Sequence, residues 1–466
     1  MLAYQWSSRS GMVNKTTVYL FSLDALSVTD SHHYQELKME RSPKPPMLWD
    51  LASGEQKPPS HLELKLHGEA IRSNNSKIIW FPGPLIIGAG PSGLAIAACL
   101  KEKGVPSLIL EKESCIASSW RMRTYERLKL HLPKHFCELP LMPFPPDFPV
   151  YPTKQQFISY LDTYIKHFSI RPLFRMEVRK AEYDNNIDFW RINAGDDWEF
   201  ISRWLIVATG ENAEAMVPKI TGMSEFKGRL LHTSCYKKGD DFRRERVLVV
   251  GCGNSGMEVC LDLCNNHAEA SMVVRDKLHI LPREVLGVST FGLSVWLLRW
   301  LPVRVADCLL LLCARLILGD TEKHGLKRPK IGPLELKNST GKTPVLDIGA
   351  LSKIKSGHIK VVPGINRFLD KGVEFVDGRQ EEFDTIILAT GYRSNVTSWL
   401  KEEEFFCKKN GFPRTPFPNS WRGKNGLYAT GFTRRGLLGA SIDAHRIAED
   451  IACQWNSKTK HLPMEL

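Results

Sequence analysis

Leu85-Ile86-Ile87-Gly88-Ala89-Gly90-Pro91-Ser92-Gly93 is a short apolar run that stops in a glycine cluster. A helical pattern from Ser92 to Lys103 follows it, then a second strand, Ser107-Leu108-Ile109-Leu110-Glu111. Strand, glycine turn, helix and strand make a βαβ unit, and such units build parallel sheets. In that setting Gly88 permits a tight turn, Gly90 lets a pyrophosphate approach bare backbone, and Gly93 lets the helix pack on the strand. The helix start offers free N–H groups and a partial positive charge to the phosphates. Glu111, 21 residues after Gly90, stands where a carboxylate accepts hydrogen bonds from ribose hydroxyls. Gly88, Ala89, Gly90, Pro91, Ser92, Gly93 and Glu111 are therefore expected to hold a dinucleotide.

The same succession recurs 163 residues later. Arg246-Val247-Leu248-Val249-Val250 runs into Gly251-Cys252-Gly253-Asn254-Ser255-Gly256, a helix is expected from Asn254 to about Asn265, and Ala270 to Val274 is the next strand. That offset is a whole domain, far too long for a solenoid repeat. Arg275 lies 22 residues after Gly253, in the place of the acid. A guanidinium there forks onto a 2′-phosphate and favours NADPH over NADH, a preference that weakens if the neighbouring Asp276 faces the ribose instead. Two such folds suggest a flavin on the first and a nicotinamide on the second, with hydride passing between them. The expected fold class is α/β, built from two Rossmann-like dinucleotide-binding domains.

Composition agrees with a globular chain of about two to three domains: 466 residues, 43% hydrophobic and 24% charged. The net charge of +12 suits small anionic ligands in a cleft; with no finger spacing of His and Cys and no long basic run, nucleic acid is not an expected partner. Eleven cysteines include no Cys-x-x-Cys, which argues against a disulfide scaffold or a dithiol reductase and for reduced thiols in a cytosolic protein. No metal site is expected. Val285 to Leu318 is the most apolar part, but Arg299, Arg304, Asp307 and Arg315 interrupt it too often for a membrane span. It reads as core or substrate-pocket helices, with a membrane-surface or subunit contact left open. The first 80 or so residues hold scattered prolines and polar runs, and their one apolar stretch, Val18 to Leu26, is neither a secretory signal nor a span.

Several further stretches resemble one family. Phe226-x-Gly228-x-x-x-His232-x-x-x-Tyr236 resembles the fingerprint of class B flavin monooxygenases, and Ala208-Thr209-Gly210 and Ala389-Thr390-Gly391-Tyr392 resemble their two interdomain linkers. Closer still, Thr124 to Lys134 (TYERLKLHLPK), Ala208 to Glu214 (ATGENAE), Leu326 to Leu336 (LKRPKIGPLEL) and Leu427 to Ala440 (LYATGFTRRGLLGA) resemble the plant YUCCA flavin monooxygenases, over roughly residues 83 to 453. The resemblance implies a chain that uses FAD, NADPH and O₂ to convert indole-3-pyruvate to indole-3-acetate, or auxin, with loss of CO₂, by way of a C4a-peroxyflavin. Other readings are an S- or N-oxygenating flavin monooxygenase acting on soft nucleophiles, or a non-catalytic NADPH-binding regulator.

It also implies an inserted NADPH domain. The expected layout is a poorly ordered extension over 1–82, the first part of the FAD domain over 83–213, the NADPH domain over 214–349, the rest of the FAD domain over 350–455 and a tail over 456–466. Trp120 and Arg121 are expected against the flavin nucleotide. His131 falls where many class B relatives place an Asn beside the flavin ring, and with Asn212 is a candidate catalytic residue. His232 reads as a structural linker. A cytoplasmic location is expected, with association at the endoplasmic reticulum surface left open.

Overall fold

The computed structural model describes residues 71–73 and 76–459. Val18 to Leu26 lies outside them. Leu85–Ile87, Leu108–Leu110, Leu205–Val207 and Leu427–Ala429 form a parallel four-stranded sheet, ordered 427–205–85–108 by first residue. Because side chains alternate along a strand, each face of this sheet meets a different layer. Ile86, Ile109 and Ile206 pack against the helices Pro91–Glu102 and Gly436–Thr459. Leu85, Ile87, Leu205 and Val207 pack the other way, onto Trp190, Ile192 and Phe200 of a six-stranded, mainly antiparallel sheet. A strand buried on both faces has no polar alternation to show, so these runs are continuously apolar.

The second module repeats the plan. Its parallel sheet orders Arg229–His232, Thr385–Leu388, Arg246–Val250, Glu269–Val273 and Ile359–Val362. Val247 and Val249 face the helix Asn254–Asn265, while Leu248 and Val250 face Phe368, Val373 and Phe375 of a small antiparallel sheet and Phe383 just beyond it. A helical excursion, Thr290–Trp300, Val303–Leu318 and Pro333–Thr340, interrupts this module.

The pairing corrects three boundaries. Ile359–Val362 and Thr385–Leu388 belong to the second sheet, so that module runs past residue 349; Thr385–Leu388 is one of its inner strands. Ser76–Trp80 pairs in parallel with Trp198–Ser202, so the first module begins before residue 83. Ser76–Trp80 is second in its sheet, between Ile71–Ser73 and Trp198–Ser202, a place set by those partners rather than by its own five residues. The last helix runs to Thr459, beyond the boundary expected at 455.

The apolar stretch from 285 to 318 is only partly core. Leu297, Ala306 and Leu310 are buried, but Trp300 is 75% and Leu316 77% exposed. Among the described residues no helix is long and apolar enough to cross a membrane.

Candidate active site: two phosphate cradles and the seam between them

The two glycine turns have the same construction. Gly88 and Gly251 take φ of +108° and +118°, a region that costs a side chain strain. A Cβ on Gly93 would lie 1.9 Å from the Gly88 carbonyl oxygen, and one on Gly256 2.0 Å from that of Gly251, so each helix touches its own turn. Gly90 and Gly253 differ from these: a Cβ there would meet nothing within 4 Å. Each is the N-cap of its helix, with no side chain capping the first-turn amides. Bare N–H groups facing open space at a helix start are what a pyrophosphate requires.

Around the first cradle, Glu111 is buried and fixed. It accepts hydrogen bonds from Ala89 N (2.7 Å), Glu113 N (3.0 Å) and Ser118 Oγ (3.3 Å), so it shapes the turn as well as standing at the strand end. Two buried oxygens nearby have no protein partner, Thr209 Oγ1 and Asp443 Oδ1. Thr209 borders the Gly88 turn, and the Asp443 carboxyl accepts the N–H of Gly431, whose Cα abuts Ser92. Burial pushes Asp443 up to about 7. Orphaned buried polar atoms and a glycine cradle that a Cβ would enter without a clash together fit a bound nucleotide.

Trp120 packs edge-on against Phe157, with ring centres 4.5 Å apart, and touches the cores of both modules. Arg121 is taken up by Asp162 and by the Ile116 carbonyl (3.0 Å), so its guanidinium braces the protein. At the second cradle, Asn254 Oδ1 accepts from Leu346 N (3.0 Å) and anchors the strand Val345–Asp347. The Cys252 thiol is raised by burial. Arg275 is 81% exposed and pairs with Asp276 at 3.1 Å, with Lys342 4.0 Å from the same carboxylate. Asp276 is thus held low by the Arg275 guanidinium.

His131 lies at the seam. Its Nε2 donates to Glu258 Oε1 at 2.6 Å, and Glu258 belongs to the second module's helix and is 4% exposed. The Tyr125 hydroxyl shares Glu258 and also bonds Ser255, and burial raises its pKa far above the ordinary phenol value. Tyr125 and Leu128 pack into the second core and Leu130 into the first, so Thr124 to Lys134 straddles both. The linkers clasp each other: Glu214–Ala215 pairs antiparallel with Tyr392–Arg393. His232 Nε2 donates to the Gly391 carbonyl at 3.1 Å and its ring meets Tyr392 edge-on, a linker brace in which burial lowers its pKa.

Asn212 is exposed and has no side-chain hydrogen bond among the described residues. Its neighbour Glu211 is the one turned inward, raised to about 7 by burial within reach of Arg434 and Lys337. Glu258 and Asp443 are missed by motif reading, because a lone acid on an apolar helix carries no spacing signal, and Glu211 sits unmarked in the turn of the ATGENAE stretch.

This duplicated architecture, one sheet per dinucleotide, defines the class of two-dinucleotide flavoprotein oxidoreductases. A profile of the pyridine nucleotide-disulphide oxidoreductases matches residues 85–284. Solved structures share the fold: a flavin-containing monooxygenase from Stenotrophomonas maltophilia (21% identity, 80% of this chain and 98% of that one, TM-score 0.61) and a steroid monooxygenase bound to NADP (18%, 80% and 86%, TM-score 0.65). Among curated relatives, indole-3-pyruvate monooxygenase YUCCA6 of Arabidopsis thaliana is 61% identical over 80% of this chain and 91% of its own length. Indole-3-pyruvate monooxygenase YUCCA1 of Oryza sativa subsp. japonica is 56% identical over 82% and 94%. The chain belongs to the YUCCA family of flavin-dependent indole-3-pyruvate monooxygenases.

Proposed function

We propose that this chain is an FAD- and NADPH-dependent monooxygenase that converts indole-3-pyruvate, O₂, NADPH and a proton to indole-3-acetate, CO₂, NADP⁺ and water. The observation that carries the reading is the pair of matched cradles, each with one glycine opening onto empty space at an uncapped helix start. The first-turn amides behind Gly90 would hold the FAD pyrophosphate and those behind Gly253 the NADPH pyrophosphate. Arg275 and Lys342, gathered around Asp276, would meet the 2′-phosphate. Bound FAD, once reduced by NADPH, supplies the activation of O₂. The protein's own task is to position the reactants and exclude water, and the apolar cores on either side of Trp120 serve that purpose. His131 and Glu258 hold the modules in register, and neither is assigned a proton transfer.

Product analysis tests the reading. Flavin-loaded protein incubated with NADPH, air and indole-3-pyruvate is expected to yield indole-3-acetate in step with NADPH consumed. NADPH use coupled instead to a thioether or amine would replace it with S- or N-oxygenation. A colourless protein with normal NADPH affinity would favour a regulator.

The exposed apolar face of Thr290–Trp300 and Val303–Leu318, edged by Arg299, Arg304 and Arg315, supports a cytoplasmic protein that touches a membrane surface peripherally. Sedimentation with anionic vesicles that is lost in Trp300→Glu is the expected outcome.

A further inference from the structure

Parts of four stretches converge on one place beside the cradles. Thr124 to Lys134 leads into Phe136, and Leu326 to Leu336 leads into Lys337. Ala208 to Glu214 contains Glu211, and Leu427 to Ala440 contains Arg434 and Arg435. Glu211 and the arginines follow the carboxyl ends of Leu205–Val207 and Leu427–Ala429, at the sheet edge that carries the Gly88 turn. Open α/β sheets bind their ligands at that edge.

The contacts across this seam are specific. Arg434 Nη1 donates to the Thr340 carbonyl at 3.1 Å, docking the first module onto the last turn of Pro333–Thr340. Lys337 sits three residues back, a neighbouring position on the helix surface. Its ammonium lies 5.8 Å from the centre of the Phe291 ring, which meets Phe136 of the first module edge-on at 4.9 Å. The Arg434 guanidinium carbon lies over Phe412 at 4.5 Å and that of Arg435 over Phe417 at 4.2 Å, contacts that restrain both groups. Among the described residues no carboxylate forms a salt bridge with any of the three cations. Glu211 is the acid within electrostatic reach of Arg434 and Lys337, and burial pushes it up to about 7, so near neutrality it is only partly ionised and leaves the cluster net positive.

We propose that this seam seats an aromatic 2-oxo acid, with Lys337, Arg434 and Arg435 taking its carboxylate and the Phe136–Phe291 pair its ring. This rests on the monooxygenase reading and names where that substrate binds. Lys337 is half-buried and Arg434 and Arg435 are exposed; cations clustered without a paired acid gain from an anion that arrives with the ligand, and a guanidinium held over a ring is pre-oriented for a planar carboxylate. The adjoining aromatic edges match the aryl end of the same molecule. A cofactor phosphate has the same anionic chemistry, so the test must separate the two.

Lys337→Gln, Arg435→Gln and Phe291→Ala should each be assayed for flavin content, KM for NADPH, and KM and kcat for indole-3-pyruvate. Removing a charge-assisted contact is expected to raise the KM for the oxo acid about tenfold or more. Flavin content and the NADPH requirement should stay at their wild-type values, and Lys337→Arg should recover part of the loss. Binding of indole-3-acetate, followed through the flavin spectrum, should weaken in parallel, whereas its neutral amide should bind both proteins alike. An unchanged KM would overturn the proposal, as would a loss confined to flavin content or NADPH affinity. If wild type makes no indole-3-acetate, the functional reading fails, while the acid-versus-amide titration still reports on the seam.

Discussion

Gly90 and Gly93 stand three residues apart, and substitution at each should fail differently. A Cβ on Gly90 meets open space, so Gly90→Val should fold with a Tm near wild type and yet emerge colourless, its side chain occupying the place of a phosphate. A Cβ on Gly93 would press on the Gly88 carbonyl at 1.9 Å, so Gly93→Ala should cost roughly 1–3 kcal/mol of stability as an overpacked contact. Thermal unfolding and the visible spectrum of both variants check this pair. Asp443 makes a pH prediction. Raised to about 7 in the folded chain, it keeps its proton where the unfolded chain has lost it, between pH about 4 and about 7. Across that window the folded state binds more protons, so stability falls as pH rises and levels off above about 7. Tm of the flavin-free protein should show this slope, and Asp443→Asn should flatten it. Arg275→Ala should raise the KM for NADPH about tenfold or more while sparing that for NADH; equal effects would mean that Arg275 does not read the 2′-phosphate.

The element scale is where the sequence was most legible. The strand Arg246–Val250 and the helix Asn254–Asn265 lie where periodicity and the glycine turn put them, and Pro91–Glu102 starts one residue early. Local signals suffice there, because a continuous apolar run followed by glycines has few other folds. Membership of Thr385–Leu388 in the second sheet was not legible, since pairing depends on partners more than a hundred residues away. Ser76–Trp80 was hidden for the same reason: its place comes from Trp198–Ser202, not from its own composition. His131 shows the same limit at the site. The sequence placed it by analogy, and only the fold reveals Glu258 on a helix 127 residues away. The His131 side chain is 35% exposed and Glu258 keeps its Tyr125 hydrogen bond, so His131→Ala should cost about 1–3 kcal/mol in denaturant unfolding, the loss of one hydrogen bond to a buried acid.

At the scale of the whole molecule, the two modules repeat one plan and are held in register by the linker clasp and the Thr124 to Lys134 strip. The +12 charge fits a protein that gathers two dinucleotides and an organic acid, and the seam cations give part of that charge a place. If the modules have separate tasks, they should be separable by mutation. Gly253→Val should stay yellow, accept electrons from dithionite, and fail to accept them from NADPH. Loss of flavin from that variant would mean that the cradles are not independent.

The central claim is that a flavin in the first cradle receives electrons from NADPH in the second. Mixing the purified, flavin-loaded chain with NADPH under anaerobic conditions, while following the visible flavin band, addresses it directly. The account predicts that the band bleaches in wild type, persists in Gly253→Val, and returns in wild type when air is admitted. A band that NADPH leaves untouched in wild type, or a folded chain that takes up no flavin, would contradict it.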